Sequence, residues 1–250
     1  MRREGSAVLL AVLLASVLAG PAAAVDSSPQ TAPDASEVDS EFDATYELTN
    51  LFEDFERWTL VGETEVESVT WTVRQYDQAG NQVAQDSYNG QSFSQRVDIE
   101  TGVSRIEVRV TGTAPAFETP RYDPPQRFTA ANFRLEREGG TQQAIGTYET
   151  HHYTQASSST RQNVEQAERA VDRFGDEGSR ETLDRAISAF EARNYDNADQ
   201  LADEATTEAE RTRRTRTTLL YGGAAVAGIV LLGGGYYVYR SRQQGPDRLR

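Results

Sequence analysis

The sequence predicts a chain in several parts: an all-β sandwich over residues 42–150, an α-helical hairpin or stalk over 159–216, and one transmembrane helix over 217–239. Three observations carry this. From Phe42 to about Tyr148, apolar residues alternate with polar ones, the period of strands with one buried and one wet face. From Ser159 the apolar residues recur at steps of three and four, the period of a helix lying on a core. Residues 217–239 carry no charge, and at about 1.5 Å of rise per residue such a run crosses a hydrocarbon layer of about 30 Å.

The chain begins with Arg2 and Arg3, an apolar run from Ala7 to Ala19, Gly20-Pro21 and three alanines ending at Ala24. This is the order of a secretory signal peptide, with cleavage expected near Ala24. Arg211, Arg213, Arg214 and Arg216 precede the second apolar run, and Arg240, Arg242, Arg248 and Arg250 follow it. The two clusters offset one another under the positive-inside rule. The signal peptide therefore decides the orientation: a large exterior region, a type I single span, and a cytoplasmic tail over 240–250. Residues 25–41 are polar and show no apolar period, which predicts a disordered leader.

Within the β region the strands are marked by Tyr46 and Leu48, by Trp58 and Leu60, and by Val69, Trp71 and Val73. Phe93, Val97 and Ile99 follow, and then Ile106, Val108 and Val110. Turns are written at Asp77–Asn81, Asn89-Gly90 and Thr101-Gly102. A loop bearing Pro115, Pro120, Pro124 and Pro125 precedes one or two closing strands at Phe128, Phe133 and Leu135. Short strands spaced by about 8–12 residues are the pattern of a two-sheet sandwich.

Residues 151–158 read as a linker. The first helix carries Val164, Ala167, Val171 and Phe174 on one face, with Ser159 and Gln162 at capping-box spacing and Gly175 as its C′ residue. The second begins after Ser179 and presents Leu183, Ala186, Ile187 and Phe190. Asn194 breaks it. The third carries Tyr195, Ala198, Leu201, Ala202, Ala205 and Ala209.

All 25 basic residues are arginine, and there is neither lysine nor cysteine. Between Val25 and Glu210 stand 37 acidic residues and 15 arginines, a net charge near −22. Such a field opposes a compact state in dilute salt and is tolerable where the Debye length is about 3 Å. It argues against nucleic acid as a partner, because neutralising phosphates takes basic patches. Without cysteine the exterior region folds on its core alone, with no disulfide, no thiol nucleophile and no thiolate metal site.

No motif for catalysis emerges: no nucleophile elbow, no phosphate-binding loop, no zinc-protease helix. The chain is read as a non-enzyme with no cofactor and no metal. His151 and His152 are the only histidines and fall in the linker; as strand neighbours they would face opposite ways and not readily share one ion, whereas in a loop they could, with Glu149 the only nearby acid. Glu63, Glu65 and Glu67 alternate as if along one face of a strand, without the loop a calcium site needs. No glycosylation sequon occurs. In the membrane run, Gly223 with Ala227 and Ala224 with Gly228 have the small-xxx-small spacing that lets helices approach in lipid, so a homo-oligomer through this helix is one expectation.

Four resemblances bear on these residues. The stretch VTWTVRQYDQAGN…VDIETGVSRIEVRVTG resembles immunoglobulin-like extracellular modules, with Trp71 in the place of their strand-C tryptophan and their inter-sheet disulfide missing. The acidic, lysine-free composition resembles that of halophilic archaeal proteins. AISAFEARNYDNADQLADEA is similar to the helical hairpin of tetratricopeptide-type repeats, present here as a single unit. The membrane run with its arginine cluster resembles the C-terminal sorting signals of archaeal surface proteins, without their Pro-Gly-Phe motif. Together they imply a cell-envelope protein whose sandwich serves non-catalytic binding, adhesion or assembly, through its end loops and the proline-rich loop, with a protein partner at the envelope. The alternative is an accessory subunit of a membrane enzyme or export complex, docking through stalk and membrane helix.

Overall fold

The computed structural model describes residues 25–217. The signal segment, all but the first residue of the apolar run, its small residues Gly223, Ala224, Ala227 and Gly228, and the tail lie outside the described residues. Among the described residues no helix is long and apolar enough to cross a membrane.

Ten strands form two sheets. They are β1 (Asp26–Thr31), β2 (Ala35–Glu37), β3 (Glu41–Thr49), β4 (Arg57–Glu63), β5 (Glu67–Tyr76), β6 (Gln82–Asn89), β7 (Ser92–Asp98), β8 (Arg105–Thr113), β9 (Arg127–Glu136) and β10 (Gln142–Tyr153). The first sheet runs β1-β3-β8-β5-β6 and the second β2-β10-β9-β4-β7. All pairings are antiparallel except β2 with β10. The Asn89-Gly90 turn carries the chain from one sheet to the other, with Gly90 at φ +102°.

Alternation does the packing. Along β5, Val69, Trp71 and Val73 are buried between exposed or half-exposed neighbours, and β3 and β8 behave alike. Trp71 is fully buried, its Nε1–H donating to the Gly90 carbonyl (2.9 Å) and its ring 4.9 Å from that of Phe93. At roughly 25 cal/mol per Å² of apolar area, each large ring in this core contributes a few kcal/mol. The wet face of the first sheet is a ladder of ion pairs: Arg109 with Asp43, Arg105 with Glu47 (2.6 Å) and Arg74 with Glu107 (2.6 Å). Charges of opposite sign on neighbouring strands hold register more than they add stability.

Residues 25–41 are not a disordered leader. Val25 is buried in the core, β1 pairs with β3 from Asp26↔Thr49, and β2 pairs with His151–Tyr153 of β10. The hold is mostly polar: Tyr148 Oη donates to Ser27 Oγ (2.7 Å) and Thr150 Oγ1 to the Pro33 carbonyl (3.1 Å). Nor is there a linker at 151–158. β10 runs to Tyr153, and α1 (Gln155–Phe174) starts at once from a capping box of Thr154 and Ser157, upstream of the spacing at Ser159 and Gln162.

Helix α2 (Glu177–Glu191) is capped in the same way by Asp176 and Ser179, and α3 is helical from 195 through 217. The three helices pack through small residues, with Ala167, Ala186, Ala198, Ala202, Ala205 and Ala209 all buried beside Val164, Val171 and Phe190. Gly175 at the α1–α2 corner has φ −67°, so it is no left-handed C′ residue. Its constraint is space: a Cβ there would sit 2.5 Å from the Val171 carbonyl oxygen and 2.6 Å from Ser179 Oγ.

The helices do not stand off as a free stalk. The β8–β9 loop, 114–126, plugs into them through Tyr122, which packs on Phe190 (6.0 Å) in the helical core. Tyr122 Oη donates to Glu168 Oε2 (2.7 Å) and its N–H to Glu191 Oε1 (3.2 Å). Arg161 donates to the carbonyls of Arg121 (2.8 Å) and Tyr122, with its guanidinium over both the Tyr122 and Phe190 rings. Burial, and then the Glu168 carboxylate, pushes the Tyr122 hydroxyl pKa well up, so it stays a donor. We expect Tyr122→Ala to cost about 3 kcal/mol and to raise amide exchange in α1 and α2, and Tyr122→Phe to cost about 1 kcal/mol, both measured by urea unfolding with hydrogen exchange.

Candidate functional site

Strand register sorts the loops into two ends. Glu41 of β3 pairs with Thr113, at the end where loop 114–126 meets the helices. Leu48, at the far end of β3, pairs with Ile106; Tyr76 pairs with Arg105, and Arg57 with Asp98. Loops 50–56, 77–81 and 99–104 therefore gather at the tip away from the helices.

Each loop is tied from within. Trp58 Nε1–H donates to the Leu51 carbonyl (2.8 Å), and Arg137 stacks over Phe55 (4.4 Å). Asp77 Oδ1 accepts from the Asn81 N–H (2.8 Å) and its Oδ2 from Asn81 Nδ2 (3.0 Å), which holds its carboxyl below the usual pKa. Asp98 caps the short 3₁₀ turn at Ile99–Thr101 by accepting from the Glu100 N–H (3.0 Å), and its pKa is lowered by that bond and by Arg57.

Between the loops lies an open cleft of about 880 Å³. Its floor is apolar, with Leu51, Phe52 and Val103; its rim offers Asn50, Gln78 and Glu53. Ile99 lies on its wall and is 44% exposed, one of two large apolar side chains so exposed among the described residues. It is thus not the last inward position of β7, as alternation predicts, because Asp98 ends the strand and starts the 3₁₀ turn. The lining holds no histidine and no basic residue. Chemically the cleft can hold an apolar group against Phe52 and Ile99, with the polar side chain of Gln78 beside it for a neighbouring polar group.

The other sequence candidates fall elsewhere. Glu63 ends β4, Glu65 lies in the β4–β5 connection and Glu67 starts β5, so they share no strand face. Glu63 pairs with Arg134, which lowers its carboxyl pKa, and Glu65 accepts from the Thr129 N–H. Among the described residues no group of three or more His, Asp or Glu is placed to hold a metal. His151 and His152 belong to β10 and face differently: His151 Nδ1 meets the Gln126 carbonyl and His152 Nδ1 the Pro115 carbonyl, both at 2.9 Å. They pin the two ends of loop 114–126. That loop, expected as a contact surface, also clamps the helices: Tyr122 is buried while Glu118, Thr119, Arg121, Asp123 and Pro124 are exposed, and the prolines gave no signal of that burial.

No family model matches the chain, and no curated protein matches it. Solved structures with some likeness include the sporulation control protein Spo0M of Bacillus subtilis (14% identity, TM-score 0.30), covering 57% of this chain and 53% of that one. The SrpA adhesin of Streptococcus sanguinis (18% identity, TM-score 0.28) covers 54% and 61%, and a cohesin module of a Clostridium perfringens family 33 glycoside hydrolase (12% identity, TM-score 0.26) covers 52% and 98%. The match spans about half the length of the Spo0M chain. At these scores the likeness carries no argument.

Burial between Phe117 and Phe128 holds the His152 pKa below its ordinary 6.5, against the Pro115 bond, which favours the charged ring. A depressed folded-state value means the contribution of the neutral ring is complete above pH of about 6.5 and is lost as pH falls through the lower folded-state pKa. The urea midpoint should therefore drop between pH 7 and pH 5, and His152→Asn, which keeps a donor near the Nδ1 position, should flatten that drop.

Proposed function

We propose that this chain is a single-pass cell-envelope protein adapted to high salt, whose immunoglobulin-like sandwich presents the tip cleft for non-catalytic binding of a protein partner. The observation that carries the reading is polarity of layout. Among the described residues, loops 50–56, 77–81 and 99–104 form an open cleft with an exposed apolar wall at the end opposite the helices, and the last helix leads into the uncharged run 217–239. A tether at one end and a recognition surface at the other suit a receptor or adhesin. The acidic surface, with its arginines spent on sheet-face pairs, suits a medium in which long-range repulsion is screened.

The accessory-subunit reading calls for apolar surface on the helices. Phe190 is 1% exposed and Phe174 half-buried against the bundle, which favours the receptor reading.

The test is a pull-down in molar salt with the full-length chain, the Ile99→Asp variant and a chain whose 217–239 run is replaced by an unrelated span. Ile99 is exposed, so its substitution should leave stability within about 0.5 kcal/mol. We expect partner recovery to fall at least tenfold in Ile99→Asp and to survive the span replacement. Partners lost only on span replacement would make the chain a membrane-complex subunit instead.

A further inference from the structure

On the strongly acidic exterior region the one dense basic patch is Arg211, Arg213, Arg214 and Arg216, four cations within six residues and all exposed. They sit on α3, which is unbroken from 195 through 217. At 3.6 residues per turn they project at about 0°, 200°, 300° and 140° around the axis, so they ring the helix. A groove-shaped or one-sided partner would be met by a stripe; a ring suits a helix passing end-on through a plane.

The heights agree. Five residues of helix span about 7.5 Å. The polar layer of a bilayer, the difference between a total of about 40–45 Å and a hydrocarbon core of about 30 Å, is about 5–8 Å on each side. Thr217, the next residue, opens the uncharged run, and Ala209, two residues earlier than the ring, is the last residue buried in the helical bundle.

We propose that these four arginines form a collar that binds anionic lipid headgroups and seats the helical bundle directly on the membrane surface. This rests on reading 217–239 as the membrane span. Arg213 also lies over the Phe174 ring (5.2 Å) and Arg214 pairs with Glu210 (3.5 Å), contacts that orient the collar from the bundle side. Guanidinium binds phosphate in two-point geometry, so the contact survives screening that erases longer-range attraction. A collar also accounts for basic residues on the side of the span where the orientation rule disfavours them.

The chain lacks cysteine, so Thr207→Cys, at an exposed site on α3, gives one labelling position for a nitroxide. The full-length protein is placed in phosphatidylcholine vesicles with or without phosphatidylglycerol, and collision with a headgroup-tethered nickel chelate is read. We expect at least a twofold higher collision rate in the anionic vesicles and loss of that difference when all four arginines become glutamine. The Arg211→Gln/Arg216→Gln and Arg213→Gln/Arg214→Gln pairs should each remove about half, whereas loss confined to the second pair, whose members touch the bundle, would mark a structural contact and overturn the collar. A protein that floats with vesicles but shows no dependence on lipid charge overturns the collar alone. A protein that fails to float overturns the span reading and the collar with it.

Discussion

The joint between sheets and helices rests on one ring and one guanidinium. Tyr122 is pushed out of the β8–β9 loop into the alanine-lined helical core, and Arg161 closes over it while holding two loop carbonyls. Without this plug the helical bundle would present Phe190 to water, and the loop would have nothing to order its prolines. Because the bundle is built from alanines, it buries little apolar area per helix, and the borrowed tyrosine supplies a disproportionate part of its core. The two histidines pin the loop from the other side, through carbonyls at its start and end. Sandwich and bundle therefore share one loop as a structural member.

Electrostatics follow a second logic. Few cations are available, and they are not spread evenly. Arg74, Arg105, Arg109 and Arg134 neutralise carboxylates across neighbouring strands; Arg161 and Arg193 reach carbonyls of loop 114–126. What remains exposed on the strands is mostly uncharged and polar, as at Gln82, Gln85, Ser87 and Gln142, with acids such as Glu41, Asp43 and Asp86 set among them. Solvent-exposed pairs of this kind contribute at most about 1 kcal/mol each, so their value here lies in spacing like charges apart along the ladder.

How much of this could be read from the chain depended on what held each element. β3, β5 and β8 were legible because their side chains alternate over Phe42–Leu48, Val69–Gln75 and Ile106–Val110, and Trp71 sits where its strand predicts. The helical faces through Val164, Ala186 and Ala202 were legible for the corresponding reason. β1 and β2 were not, since they are held by backbone pairing and hydroxyl bonds at sheet edges, and a hydropathy pattern contains no trace of either. Ile99 misled because alternation has no knowledge of the Asp98 cap. The cleft at the tip could be anticipated only as loops; its apolar wall is a product of that same cap. Tyr122 shows a third kind of blindness, as a single buried residue in a loop has no period at all.

The burial of Val25 sets an order of events. This residue is only 9% exposed and immediately precedes β1, the edge strand of the first sheet, which pairs from Asp26 onward. A peptidase acts on extended, accessible backbone, so any scission beside Ala24 has to come before the sheet zips shut. The new amino group would then emerge beside Asn50, whose side chain holds Asp26 (2.7 Å), on the tip opposite the helices. On the envelope reading proposed above, a leader ending near Ala24 would be cut before the sandwich closes, and a slow-cutting variant would be caught as a finished sandwich that retains it.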